Sequence, residues 1–233
     1  VRQLPLSHMP EGDTMNVASQ PSLTLYYSRR SCSLACHIVL RETGLKFELV
    51  EVKIKNDEQK KPEYLKINPL GKIPALVIDS EVLTETHAIL TFLGDFKKTP
   101  NLIPPSGTTG RVRAHEWMNF LSSTVHVTFR TIFRPYNLIG KNVPLGPVRD
   151  FARTNLVGVM SEIERRLSKK SYALGDKYSV CDAYLFVFYL WCQDERLEMK
   201  SPAGPAFRRL AERVWERPST RAAVQHEQII TPF

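Results

Sequence analysis

Cys32 is the residue whose type and position point most directly to chemistry. It follows the alternating run 23–27, which predicts a strand, and precedes an apolar periodic segment that ends at Gly44 and predicts a helix of about three turns. Cys32 is therefore expected at the N-terminal turn of a helix. Free amides and the helix dipole favour an anion there, so a thiol with Arg29 and Arg30 close by is expected to ionise more readily than a free one.

Two other interpretations of this turn stay open on position alone. The same free amides could hold a bound anion instead of a thiolate. Cys32 could also be a small buried residue, as most cysteines are.

Composition restricts the class of protein. The chain has 233 residues, enough for one large or two small domains, and its four cysteines contain no Cys-x-x-Cys pair. We therefore expect no disulfide framework and a reducing, cytoplasmic compartment. No apolar run has the length of a membrane span, and the first twenty residues lack the apolar block of a secretory signal. Neither membrane association nor secretion is predicted.

The net charge of +8 raises the question of an anionic partner. The basic residues are spread along the chain without interleaved aromatic residues, so nucleic-acid binding is not predicted. A small anionic ligand fits at least as well, because a positive cleft raises its local concentration. A solvated basic surface accounts for most of these charges, and no metal site is predicted.

The segments after Cys32 predict a small α/β domain over residues 23–96. The β-α-β order makes the second strand parallel to the first. After the first strand and helix, the predicted elements are a strand at 47–52, a short helix at 62–67, a strand at 73–78, a hairpin strand at 82–84 and a helix from 85. Residues 1–22 and 97–109 show no periodicity and are predicted to be a tail and a linker.

Pro74 stands near the start of the third predicted strand. Because proline lacks the N–H that a sheet requires, it must lie at a first or edge position or follow a cis bond. In each case the backbone groups of Ile73 are left free to meet something other than a neighbouring strand.

Residues 110–233 predict an all-helical domain. Its first helix is expected to run over 111–133 with one polar face, which is either its wet side or the lining of a cleft. The residues of that face are His115, Asn119, Ser122, His126 and Arg130. Ser179 and Asp182 match a capping box before an apolar helix that we expect at the centre of the domain. Further helices are predicted over 148–170, over 205–216 and after 218.

Four separated motifs resemble the cytosolic glutathione transferases, most closely the bacterial beta class. They are Ser31-Cys32-Ser33-Leu34-Ala35, Asn68-Pro69-Leu70-Gly71-Lys72-Ile73-Pro74-Ala75-Leu76, Leu83-Thr84-Glu85-Thr86 with Ala88-Ile89, and Gly175-Asp176-Lys177-Tyr178-Ser179-Val180-Cys181-Asp182-Ala183-Tyr184. The resemblance implies a thioredoxin-like domain (α/β) followed by an all-helical (all-α) domain. It also implies a homodimer that conjugates glutathione, its co-substrate, to hydrophobic electrophiles.

The resemblance further implies which residues meet glutathione. Ile73 and Pro74 would pair with its cysteinyl part, and Glu85 and Thr86 would hold its γ-glutamyl end. A lysine after the second strand would meet the glycine carboxylate, and we choose Lys55 among Lys53, Lys55, Lys60 and Lys61.

Catalytic roles follow from the same resemblance. Cys32 would contact the glutathione sulfur, and Ser33 is a candidate hydrogen-bond donor to the thiolate. Asn119 and His126 would reach into the same site from the long helix, where His126 could donate or accept a proton. Candidate walls of the electrophile pocket are Phe129, Phe133 and Tyr136, with core packing favoured for Phe129.

Three functions stay open. The first is conjugation of glutathione to electrophiles through a stabilised thiolate. In the second, Cys32 attacks a glutathione mixed disulfide or a peroxide-derived species, as in a thiol-disulfide oxidoreductase or peroxidase. The third is a non-catalytic carrier of hydrophobic compounds, because a fold does not fix a function.

Overall fold

The computed structural model describes residues 21–96, 101–140 and 142–233. The predicted tail, 1–22, therefore lies outside the described residues except for its last two, as do residues 97–100 of the predicted linker. None of the helices in these ranges combines the length with the hydropathy that a membrane span requires.

A four-stranded sheet forms the N-terminal part of the described chain. Its strands are β1 (Leu23–Tyr27), β2 (Glu48–Glu51), β3 (Ala75–Ile78) and β4 (Glu81–Thr84), in the order β2-β1-β3-β4. β1 pairs in parallel with β2, with Leu25 opposite Leu49, and antiparallel to β3, with Leu25 opposite Leu76. β3 and β4 form the predicted hairpin. This is the expected thioredoxin-like arrangement.

Three α-helices accompany the sheet: α1 (Ser33–Thr43), α2 (Pro62–Leu65) and α3 (Thr86–Phe96). α1 is buried along most of its length and ends at Gly44, whose φ of 72° is a left-handed conformation that glycine adopts without strain. The polar stretch after β2, for which no structure is predicted, contains two 3₁₀ turns, Ile54–Asn56 and Glu58–Lys60.

The rest of the described chain is helical, as predicted. Its α-helices are α4 (Thr109–Phe120), α5 (His126–Phe133), α6 (Tyr136–Ile139), α7 (Leu145–Leu167), α8 (Val180–Cys192), α9 (Pro205–Trp215) and α10 (Pro218–His226). α8 is buried on nearly all sides and packs against α1 and α9, while α10 also packs on α1. One hydrophobic core therefore runs through both parts of the chain.

The structure confirms the long helix predicted over 111–133, with a change of helical type in its middle. A π-helical segment, Leu121–Val125, separates α4 from α5. A π turn closes its hydrogen bonds over one residue more than an α turn. The buried face nevertheless keeps its α-helical spacing through this segment, and no residue of the predicted polar face is buried. The buried residues, each at most 1% exposed, are Ala114, Met118, Leu121, Val125, Phe129 and Ile132.

The capping box at the start of α8 is present. Asp182 has no exposed surface, and its Oδ2 accepts both the N–H (2.7 Å) and the hydroxyl (2.8 Å) of Ser179. Its Oδ1 accepts the N–H of Ala173 at 2.7 Å. One carboxylate thus satisfies three buried donors and ties the preceding turn to the central helix.

Replacing Asp182 by alanine should lower the free energy of unfolding by about 3 kcal/mol, because three buried donors lose their acceptor and the helix loses its cap. Urea unfolding followed by circular dichroism measures this. Asp176→Ala, an exposed aspartate in the same loop, is the matched control and should change stability by no more than about 0.5 kcal/mol. Equal effects of the two variants would contradict this role of Asp182.

Candidate active site

The Cys32 side chain lies where three elements meet. Cys32 is the N-cap of α1 and only 5% exposed. Its thiol donates to the carbonyl of Ile73, before β3, with an S···O distance of 3.7 Å, and the hydroxyl of Thr86, at the start of α3, donates to its Sγ over 3.5 Å. The structure therefore brings together three of the predicted site residues.

The expectation that Cys32 ionises more readily than a free thiol is wrong. Burial raises the pKa of Cys32 to about 11, and the nearby Glu85 carboxylate acts in the same direction. The hydrogen bond from Thr86 and the backbone of the helix start oppose this shift only in part. At neutral pH Cys32 is a protonated thiol, which can donate a hydrogen bond.

The two arginines before Cys32 do not assist its ionisation, because both are engaged elsewhere. Arg29 pairs with Glu51 (Nε–Oε1 3.1 Å) and donates to the Gln228 side chain at 2.6 Å. Arg30 pairs with Asp194 (Nη2–Oδ2 3.1 Å). Their proximity in sequence does not become proximity to the thiol.

Arg30 adopts an unusual backbone conformation. Its φ is 60°, in the left-handed region that residues other than glycine rarely enter. The indole Nε1 of Trp191 in α8 donates to its carbonyl at 3.0 Å, while Asp194, just after α8, holds its guanidinium. Two residues of the helical part thus hold the turn that carries Cys32.

Ser33 supports this turn from inside. It is fully buried, and its hydroxyl donates to the carbonyl of Ser28 (3.2 Å), accepts the N–H of Ser28 (3.2 Å) and bonds to the hydroxyl of Ser31 (2.7 Å). A serine hydroxyl has a single hydrogen to donate. The predicted role of Ser33 as a donor to a ligand thiolate is therefore corrected to a structural one.

The peptide bond between Ile73 and Pro74 is cis, and Pro74 comes immediately before β3. The preceding carbonyl, of Lys72, accepts hydrogen bonds from the Tyr64 hydroxyl (2.6 Å) and from Asn68 Nδ2 (2.7 Å). The N–H of Ile73 makes no hydrogen bond within the part of the chain that the structure describes. Ile73 therefore offers a free N–H beside a carbonyl that already faces Cys32.

The other residues predicted to hold glutathione lie around this centre at different depths. Glu85 is exposed with a φ of 69°, whereas Thr86 is buried. The Thr86 hydroxyl faces Cys32 and not open solvent, which corrects its predicted contact with a γ-glutamyl carboxylate. Lys55 is exposed on the first 3₁₀ turn.

Asn119 is joined to α3 by a histidine. Its Oδ1 lies 3.0 Å from Nδ1 of His87, whose Nε2 lies 2.8 Å from Nδ1 of His115. Burial and the neighbouring His115 lower the pKa of His87. Asn119 and His115 therefore hold the residue that follows Thr86.

His126 lies on the other side of the π turn, against α8. Its ring centre is 5.1 Å from that of Trp191 and 6.1 Å from that of Phe188. Burial, with the positive charges of Arg130 and Lys72, lowers the pKa of His126 to about 4. The imidazole is neutral at pH 7, so it offers one donor and one acceptor.

His126, Trp191 and Phe133 form a contiguous aromatic surface, which we call the aromatic wall. Phe133 is partly buried and lies 5.9 Å from Trp191, measured between ring centres, and Tyr136 is 39% exposed. Phe129 has no exposed surface and belongs to the core, which is the alternative that the sequence favours. No cluster of potential metal ligands was found among the described residues.

Comparison with known proteins follows the same division of the chain. Residues 21–95 match the family model "Glutathione S-transferase, N-terminal domain", and 138–218 match "Glutathione S-transferase, C-terminal domain". Glutathione S-transferase GstA of Escherichia coli O157:H7 is 30% identical over 207 residues, which cover 88% of this chain and 98% of that protein.

Solved structures agree. The sphingomonad glutathione S-transferase complexed with glutathione has a TM-score of 0.78 and 31% identity, over 89% of this chain and all of that one. The bacterial beta class glutathione S-transferase of Sphingomonas chungbukensis has a TM-score of 0.78 and 33% identity over the same shares. A thioredoxin-like sheet with a cysteine at its first helix, followed by a helical bundle, defines the class of protein. The chain belongs to the glutathione S-transferase family.

Sequence reasoning misses three residues of the site. Trp191 reads only as part of an apolar central helix, Asp194 lies in a polar stretch without a motif, and His87 follows Thr86 without any pattern. Their roles depend on contacts between residues at least 28 positions apart in the sequence, which no local signal reports.

Arg30 allows a matched test of the turn. Arg30→Gly and Arg30→Ala both remove the ion pair with Asp194, but only alanine retains a Cβ in the left-handed conformation. The glycine variant should be more stable by about 0.5–1 kcal/mol, after the greater freedom of glycine in the unfolded chain is taken into account. Urea unfolding decides the point, and an alanine variant as stable as the glycine variant would refute the assigned backbone conformation.

Proposed function

We propose that this protein conjugates the thiol of glutathione to hydrophobic electrophiles. In this proposal residues 23–96 form the glutathione-binding domain and 110–233 form the domain that lines the electrophile pocket. The observation that carries the proposal is the buried side chain of Cys32 at the start of α1, with its sulfur between the Ile73 carbonyl and the Thr86 hydroxyl. The glutathione bound to the sphingomonad relative supports the choice of co-substrate.

The proposed mechanism begins with an exchange of hydrogen bonds. The cysteinyl backbone of glutathione would pair with the N–H and carbonyl of Ile73, which frees the thiol of Cys32 from that carbonyl. Cys32 would then donate its S–H to the glutathione sulfur, beside the positive end of α1. Both interactions favour the thiolate of glutathione, whose proton leaves to solvent. Each unit by which the pKa of that thiol falls corresponds to about 1.4 kcal/mol.

The thiolate would attack the electrophile against the wall of His126, Trp191 and Phe133. A carbon–sulfur bond forms, and the leaving group departs with its bonding electrons. The neutral imidazole of His126 can donate its single N–H to a developing negative charge. In this role it orients the reactants and does not change its own charge.

The ends of glutathione are assigned from the resemblance to the family. Glu85 would accept the γ-glutamyl ammonium, and the free amides at the start of α3 would hold its carboxylate in place of the Thr86 hydroxyl. Lys55 would meet the glycine carboxylate. Asn119 would act from the helical domain, which its bond to His87 supports.

We also propose that the enzyme is a homodimer of the beta class and works in the cytoplasm. A cysteine at the first turn and the likeness to the Sphingomonas chungbukensis enzyme support the class. The four cysteines are free thiols, which suits a reducing compartment. Sedimentation equilibrium tests the dimer.

Cys32→Ala separates conjugation from disulfide chemistry. Conjugation of a model aryl halide should fall by no more than about tenfold, the value of one hydrogen bond, whereas any reduction of glutathione mixed disulfides should disappear. Cys32→Ser, which restores a donor, should recover conjugation only. Loss of conjugation in both variants would make Cys32 the nucleophile, and a protein that glutathione-agarose does not retain would be a carrier.

His126→Ala should lower kcat about tenfold and change the KM for glutathione much less, because His126 belongs to the aromatic wall against which the electrophile would lie. Since the pKa of His126 is about 4, its neutral form persists as pH rises, and it should cause no break in kcat between pH 6 and pH 8. Thr128→Ala, on the same helix, is the control. An effect confined to KM would assign His126 to glutathione binding alone.

A further inference from the structure

We propose that Arg196 and Arg30 form an anion subsite beside the aromatic wall, and that the enzyme therefore prefers electrophiles that carry a carboxylate. This inference rests on the proposed function and specifies the class of its second substrate.

Asp194 organises the two arginines. Its side chain is only 3% exposed. Its Oδ1 accepts Nε of Arg196 at 2.8 Å, and its Oδ2 accepts Nη2 of Arg196 at 2.7 Å and Nη2 of Arg30 at 3.1 Å. One buried carboxylate is thus shared by two guanidinium groups, and the cluster of three carries one excess positive charge.

The free edges of both guanidiniums remain available to a ligand. The side chains of Arg30 and Arg196 are 61% and 56% exposed. Within the described chain, Nη1 of Arg196 and both Nε and Nη1 of Arg30 make no hydrogen bond. Guanidinium groups held in a fixed orientation match the geometry of a carboxylate, which two arginines can share.

The cluster is continuous with the aromatic wall. The Arg196 guanidinium lies over the Phe133 ring, 4.5 Å from its centre, and Phe133 contacts Trp191, which contacts His126. Trp191 also donates to the carbonyl of Arg30. A ring bound against Phe133 and Trp191 would therefore place a substituent at the two guanidiniums while its reactive carbon faces His126.

Further charges around the wall are mainly positive. Arg130 and Lys72 act on His126 as positive charges, and neither has an ion-pair partner among the residues that the structure describes. A negative charge, that of Glu195, also lies near the wall and raises the pKa of Arg196. Four cations therefore stand against the carboxylates of Asp194 and Glu195, so an anionic substrate meets a net positive surface.

Two aryl chlorides of the same shape test the proposal. 4-Chloro-3-nitrobenzoate carries a carboxylate, and 4-chloro-3-nitrobenzamide is neutral. In both, the glutathione sulfur bonds to the ring carbon, chloride leaves with the bonding electrons and the thiol proton passes to solvent. The value of kcat/KM for the benzoate is divided by that for the benzamide. This ratio is then divided by the ratio of the two uncatalysed rate constants, which corrects for the difference in intrinsic reactivity between the two compounds.

We expect this normalised ratio to be about tenfold at low salt and to fall as ionic strength rises. Arg196→Gln should lower it about fivefold, and Arg196→Lys, which retains the charge but not the planar fork, should lower it less. Arg113→Gln, an exposed arginine of α4 that pairs with Glu116, should leave it unchanged. A ratio near one, or a ratio that Arg196→Gln does not change in a variant with native circular dichroism, would overturn the proposal.

Failure of the proposed function gives a different result. If neither the benzoate nor the benzamide is consumed faster than in the uncatalysed reaction, the protein does not conjugate aryl halides. Calorimetric titration with each compound then decides the subsite by itself. Tighter binding of the benzoate that Arg196→Gln abolishes would support the subsite, and equal affinities would refute it.

Discussion

The site depends on the burial of one sulfur atom between two polar groups. Cys32 Sγ lies out of solvent, where an unpaired polar group or a charge would be costly, and it is satisfied by the Ile73 carbonyl and the Thr86 hydroxyl. These three residues come from the start of α1, the approach to β3 and the start of α3. Because burial raises the pKa of this thiol to about 11, we propose that the helix start stabilises the thiolate of a ligand and not that of the protein.

The helical part of the chain completes this arrangement. The turn before Cys32 contains a non-glycine residue in a left-handed conformation, which persists only where its surroundings hold it. Trp191 and Asp194 provide that hold, and Trp191 also packs on His126. The same tryptophan therefore links the turn that bears the thiol to the wall on which an electrophile would lie. Residues of both parts of the chain therefore meet at this turn.

Local patterns predict most of the fold and only part of the site. Three features depend only on neighbours in sequence, so each is predictable from the sequence: the alternation in β1, the glycine after α1 and the capping box at Ser179. The π segment at 121–125 is not, because the composition of these residues stays that of a helix. The charges around Cys32 are also not predictable from the local sequence, because Arg29 and Arg30 form ion pairs with acidic residues of distant segments. Burial reverses the pKa shift that position alone predicts.

The most direct test of this account is the ultraviolet absorbance of thiolate at neutral pH, recorded without and with saturating glutathione, in the wild-type protein and in Cys32→Ala. We expect no thiolate before glutathione is added and one thiolate per site once glutathione binds, in the wild type and, with a smaller amplitude, in the variant. A thiolate present before glutathione is added, and absent from Cys32→Ala, would show that Cys32 itself is the anion and would contradict the account.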